Sequence, residues 1–185
     1  MDGHADCDWA DFYPDAKEVI PPDLPEPRGK PVQITEFVDS DHAGDEVSRR
    51  SRTGVLILCN RSPILWYSKK QGSVETSSYG SEIAAMKTGV ELLEGLRYKL
   101  RMMGVPLDGP AYLRADNMSV VHNTSNPASM LKKKSNSIAY HYVRERCAAG
   151  VCSVTHIRTE DNVADMLTKT QPAPTRKRLT EMVMF

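Results

Sequence analysis

A change of hydrophobic period constrains this chain most. Between Ser77 and Gly104, the residues Ile83, Met86, Val90, Leu93, Leu96 and Leu100 recur every three or four positions. That is the repeat of a helix with one buried face. Ser77 or Ser78 is placed to cap it, and Gly104 to stop it. Such a stripe must be covered by another layer. The segments before it have the rhythm of strands. QITEFVD (33–39) alternates apolar and polar residues. GVLILCN (54–60) and PILWYSKK (63–70) are short apolar runs parted by a turn-forming stretch. Together they predict an antiparallel meander. After the helix come a short strand (AYLRAD, 111–116), a short helix (117–123), a polar loop (124–136) and a helix closed by Gly150 (137–150). A strand (VCSVTHI, 151–157) and a last short helix (NVADMLTK, 162–169) follow. The order β-β-β-α-β-α-α-β-α predicts an α/β fold: a five-stranded mixed sheet, its first three strands antiparallel, flanked by helices.

The 185 residues suffice for one domain with tails. Residues 1–32 are acidic and Pro-rich, with five prolines in VIPPDLPEPRGKP. They predict an extended, poorly packed linker, because proline lacks a donor and disfavours helix before it. The domain is expected over 33–170, with a C-terminal tail at 171–185. The 24 basic residues balance the 24 acidic ones, so net charge gives no sign of a nucleic-acid partner, and local charge must carry that argument. Cys7, Cys59, Cys147 and Cys152 form no C-x-x-C pair and lie at no zinc spacing. They read as reduced thiols of an intracellular protein. No segment has the apolar core of a signal peptide or the length of a membrane helix.

Four carboxylates fall where rigid backbone would fix them. Asp39 ends the first strand, Glu82 lies in the first turns of the long helix, Asp116 ends the fourth strand, and Asp165 lies in the last helix. Singly, each reads as a solvated surface residue, and Asp41 and Asp45 compete with Asp39. Together, such acids suit phosphodiester hydrolysis. Two Mg²⁺ ions about 3.5–4 Å apart can deliver water to an anion and stabilise the charge that develops. Mg²⁺ takes hard oxygen ligands, so a few carboxylates and a phosphate suffice. Without metal, the acids would repel and some would hold protons.

The chain resembles the ribonuclease H part of copia-type retrotransposons. VDSDHAGDEVSRRSRTG, PILWYSKKQGSVETSSYGSEIAA, ADNMSV, IAYHYVRE and NVADMLTK follow that family's motifs in order over roughly residues 36–170. DWADFY and PEPRGKPV resemble the connector after the polymerase part. The resemblance implies a ribonuclease H-like fold and cleavage of the RNA strand of an RNA–DNA hybrid by two Mg²⁺, or Mn²⁺. It implies Asp39, Glu82, Asp116 and Asp165 as metal ligands. Asp39 would bridge both ions, Glu82 and Asp116 would complete the leaving-group side, and Asp165 would hold the ion that activates water. An upstream polymerase of the same element is the implied partner. The expected location is intracellular, in a cytoplasmic particle or the nucleus. The sequence departs from the pattern at His42, where the family has Trp, and at Lys134–Ser137. The loop RTEDN lacks the histidine that many cellular ribonucleases H carry there, and His156 falls inside a predicted strand.

A hybrid is read by shape, phosphates and 2′-hydroxyls. Candidate contacts are Arg49, Arg50, Arg52, Lys69, Lys70, Lys132, Lys133 and Lys134 for phosphates, and Ser77, Ser78 and Asn117 beside the acids. Asn117 equally suits a helix cap. Tyr140, His141 and Tyr142 are candidates for stacking, with core packing favoured for Tyr140. Two other readings stay open: an integrase-type nuclease or strand-transferase of the same fold, and an inactive remnant that only binds hybrid or packs on a polymerase.

Overall fold

β1 (Ile34–Asp41) is buried at every residue from Ile34 to Ser40 except Thr35. A strand of that kind needs a neighbour at each edge and a cover on each face. The computed structural model describes residues 8–131 and 134–184 and supplies all four. β2 (Arg52–Cys59) pairs antiparallel with β1, and β3 (Ser62–Lys70) antiparallel with β2. The β2–β3 turn holds Asn60 at φ +55°, a conformation asparagine tolerates. β4 (Ala111–Ala115) and β5 (Cys152–His156) lie parallel beyond β1, giving the order β3-β2-β1-β4-β5. Parallel neighbours need crossovers. α1 (Ser78–Met102) supplies the first, and α2 (Met118–Ser125) with α3 (Ser137–Ala148) the second. The predicted mixed sheet is therefore present. The Ser77 side chain caps α1 by accepting from the Gly80 amide at 3.2 Å, and Gly104 ends it at φ +72°.

One face of the sheet presents Val38, Val55 and Ile57 to Ile83, Met86, Val90 and Leu93 of α1 and to Val143 of α3. The other face presents Phe37, Leu56 and Leu58. After β5 come the short α4 (Asp165–Thr168) and α5 (Ala173–Val183). Val163, Ala164, Leu179 and Val183 cover the second face. The segment expected as a tail thus closes half the core. Its two buried residues are four apart in an otherwise polar helix, too weak a stripe to stand out in the sequence.

Most described residues of the leader are exposed, and single side chains of it dock on the helices. Glu18 accepts from Arg97 at 2.7 and 3.0 Å and from Arg101 at 2.6 Å, both on α1. Arg144 of α3 is 2% exposed, donates to the carbonyls of Asn123 and Asn126, and lies over the rings of Trp9 and Tyr13. Composition hid this, because an extended segment can dock through single side chains. Tyr140 is buried as expected and donates to the Ser129 carbonyl at 2.6 Å. The exposed His141 has Nδ1 2.8 Å from the Tyr13 hydroxyl, and the Tyr142 hydroxyl donates to Glu94. Cys59, Cys147 and Cys152 are free thiols, and Cys7 lies outside the described residues.

α1 and β1 approach so closely at Gly89 that a Cβ there would lie 2.2 Å from Glu36 Oε1. Glu36 is 0% exposed, and neither carboxyl oxygen has a hydrogen-bond partner. Burial pushes its pKa up to about 8, so it is a neutral acid at neutral pH.

Two outcomes are expected. The raised Glu36 pKa gives stability that is present below the ordinary glutamate range and lost as pH rises through about 8. Glu36→Gln should therefore flatten the fall in denaturant midpoint between about pH 5 and pH 9. An unchanged slope would mean that Glu36 is not the group responsible. Glu18→Ala leaves the buried Arg97 without its carboxylate, and losing one partner of a buried pair costs about 3–5 kcal/mol against about 0–1 for a surface pair. A loss under about 1 kcal/mol in urea unfolding would mean the leader is not clasped to α1.

Candidate metal centre

The site forms where β1 and β4, being parallel, end on the same edge of the sheet. Asp39 stands opposite Gly54 of β2. A Cβ on Gly54 would lie 2.6 Å from Thr168 Cγ2 and 2.9 Å from the Ala164 carbonyl oxygen. Only glycine leaves room for α4 to press against the sheet there. So placed, the Thr168 hydroxyl donates to Asp39 Oδ2. Asn162 fixes the turn before α4 by donating to the Val38 carbonyl at 2.9 Å. Glu82 comes from the first turns of α1, just inside the Ser77 cap. Asp116 directly follows β4.

The structure brings three of the four predicted acids together. One oxygen from each of Asp39, Glu82 and Asp116 lies within 4.8 Å of the others. Burial, then the charges of Asp39 and Asp116, push Glu82 up to about 9. Burial also pushes Asp39 up, to about 6, with the charge of Asp165 adding to it and the Thr168 hydroxyl working against it. Asp39 and Glu82 therefore resist ionising together. All three donors are hard oxygens, the set that magnesium or calcium prefers and that thiophilic metals do not.

Asp165 lies outside that group of three. Its carboxylate is held by Lys169 Nζ at 2.9 Å and by Gln171 Nε2 at 3.4 Å, while the same ammonium lies 4.0 Å from Asp39. Burial works against the charge on Lys169, but its bond to Asp165 and the nearby acids raise its pKa overall. Lys169 therefore supplies positive charge to the Asp39–Asp165 side of the cluster.

The other predicted residues spread around this centre. Ser77 and Ser78 sit at the start of α1. Asn117 caps α2, its side-chain oxygen accepting from the amides of Ser119 and Val120. Arg49 and Arg50 are exposed before β2, and Arg52 opens that strand. Lys69 and Lys70 end β3, and Lys70 pairs with Asp45. Lys134 is exposed, whereas Lys132 and Lys133 lie outside the described residues. His156 ends β5 with Nε2 3.2 Å from the Asp116 carbonyl oxygen. Sequence reasoning missed Gly54, Thr168 and Lys169. Lys169 had a readable signal, its spacing of four from Asp165 on a short helix. Gly54 and Thr168 lie in the motifs RSRTG and NVADMLTK, but nothing in either motif shows that the two residues meet, because their contact links segments far apart in the chain.

No protein-family model matches the chain. It is 30% identical over 142 residues to the retrovirus-related Pol polyprotein from transposon RE2 of Arabidopsis thaliana, covering 77% of this chain. It is 35% identical over 138 residues to that from transposon TNT 1-94 of Nicotiana tabacum, covering 74%. The matched stretch is 10% of each relative's length. Among solved structures it superposes on LC11-RNase H1, isolated from compost, in that protein's complex with an RNA/DNA hybrid. The TM-score is 0.59 at 19% identity, over 74% of this chain and 94% of the other. The N-terminal RNase H domain of rv2228c from Mycobacterium tuberculosis gives a TM-score of 0.57 at 12% identity, over 81% and 97%. The chain is thus similar to one part of these retrovirus-related Pol polyproteins, and its fold is that of the ribonucleases H.

Proposed function

We propose that the chain hydrolyses the RNA strand of RNA–DNA hybrids, using two divalent cations, Mg²⁺ or Mn²⁺ in its place, held by Asp39, Glu82, Asp116 and Asp165. The observation that carries this reading is the convergence of Asp39, Glu82 and Asp116 within 4.8 Å. Bound there, the ions would supply Lewis acidity at the phosphate and a water of lowered pKa. The chain's own residues set the geometry. The Thr168 hydroxyl and the close fit at Gly54 hold the Asp39 carboxylate on the buried side. Glu82 must release its proton before it can ligate. Lys169 keeps Asp165 beside Asp39 despite their like charges. Hydrolysis adds water across the P–O3′ bond, leaving a 5′-phosphate and a 3′-hydroxyl. A solved complex of the similar LC11-RNase H1 with an RNA/DNA hybrid supports the choice of substrate. The relatives' Pol polyproteins support a polymerase of the same element as partner.

The test is cleavage of a labelled hybrid in Mg²⁺, beside RNA and DNA duplexes. Only the hybrid's RNA should be cut, and Asp39→Asn should slow the cut by about a hundredfold or more, the loss of several kcal/mol of charge stabilisation. A folded wild-type chain that cuts nothing would sink the proposal.

Cation binding has its own readout. Without divalent metal, the raised Glu82 pKa gives stability that is lost as pH rises from the ordinary glutamate range through about 9. A cation competes with that proton, so a fixed Mg²⁺ concentration should raise Tm more at about pH 8.5 than at pH 6. A Tm indifferent to Mg²⁺ at both pH values, or an equal shift in Asp39→Asn, would place the cation elsewhere.

A further inference from the structure

Thr168 and Lys169 face two ways. They hold Asp39 and Asp165, and they also form one wall of a cavity of about 370 Å³. Arg52 and Ser68 of β2 and β3 form another wall, and Gln171 and Arg176 at the start of α5 close it. No acidic side chain lines this cavity. Three neighbouring cations are paired with acids: Lys70 with Asp45, Lys177 with Glu181 at 3.9 Å, and Arg178 with Asp161 at 3.0 Å. Arg52 and Arg176 have no carboxylate partner among the described residues. Among the described residues, the Arg52 guanidinium makes one side-chain hydrogen bond, to Ser68 Oγ at 3.4 Å. Two always-charged guanidiniums therefore line one concavity beside the acid cluster, where the Gln171 amide is held by Asp165 and the Ser68 hydroxyl by the Leu167 carbonyl. Guanidinium groups match phosphate oxygens in charge and in planar geometry.

We infer that this cavity is a phosphate subsite, and that it takes a backbone phosphodiester of the cleaved strand next to the scissile phosphate. The inference rests on the hybrid-cleavage reading above and adds Arg176 and Gln171 of the C-terminal segment to the substrate contacts. The cavity shares Thr168 and Lys169 with the acid centre. It therefore adjoins that centre, close enough for one backbone to reach both. Lys169 is engaged by Asp165, so Arg52 and Arg176 carry the recognition.

The test is hybrid binding to the uncleaving Asp39→Asn chain, followed by fluorescence anisotropy across a range of salt concentrations. Each phosphate contact removed lowers the slope of log K against log salt by about one. Arg52→Gln and Arg176→Gln, made in that background, should each lower it by about that amount. Lys177→Gln, on the exposed and paired neighbour, should leave it unchanged. A single uncharged methylphosphonate, placed in turn at each linkage beside the cleavage site, locates the contact. At one of these positions it should weaken the Asp39→Asn chain but cost nothing further once both arginines are replaced. Unchanged slopes in both arginine variants, or a methylphosphonate loss that persists in full without the arginines, would overturn the subsite. Failure of the parent chain to bind hybrid at all would instead remove the reading on which it rests. Thermal melts of the two surface-arginine variants check that each is folded.

Discussion

The burial of Asp39 in the central strand is the constraint from which the site's other features follow. A carboxylate in that position is unfavourable unless something donates to it or neutralises it. The fold answers on several sides. Thr168 donates to it, Lys169 places an ammonium nearby, and Glu82 and Asp116 complete an oxygen cage suited to a cation. Each answer depends on close approach. α4 reaches Asp39 only because residue 54 is glycine, and Glu82 reaches it only because the Ser77 cap starts α1 at that height.

Two buried acids sit on β1 and end differently. Glu36 faces α1 with no hydrogen-bond partner and stays protonated, a neutral side chain in an apolar layer. Asp39, three residues on, lies toward the C-terminal end of the same strand among other ionisable groups. The strand thus separates an acid that is only filling space from one that can be ionised by a bound cation. The difference comes from neighbours and not from residue type.

Much of this was legible in the sequence where the signal was local. The period of α1, the alternation of β1 and the caps at Ser77 and Asn117 were read directly, and the structure places them within a few residues. The acids were legible as a set only through the resemblance to the copia-type motifs that contain them, since one carboxylate looks like another. What was not legible depends on contacts between distant segments. The docking of Glu18 on Arg97 spans 79 residues, and the cover that α5 gives to Phe37 and Leu56 spans more. In each case the residues are ordinary, and only their partners make them structural. The fit of Thr168 against Gly54 is of the same kind.

The clasp between the leader and α1 has a mechanical meaning. Arg97 and Glu82 are 15 positions apart on one unbroken helix, a rigid strut of about 22 Å at 1.5 Å per residue. Glu18 grips one end of it, and the acid cluster takes its Glu82 ligand from the other. The grip of the leader and the placing of Glu82 therefore share one rigid element, and what shifts one end of α1 shifts the other.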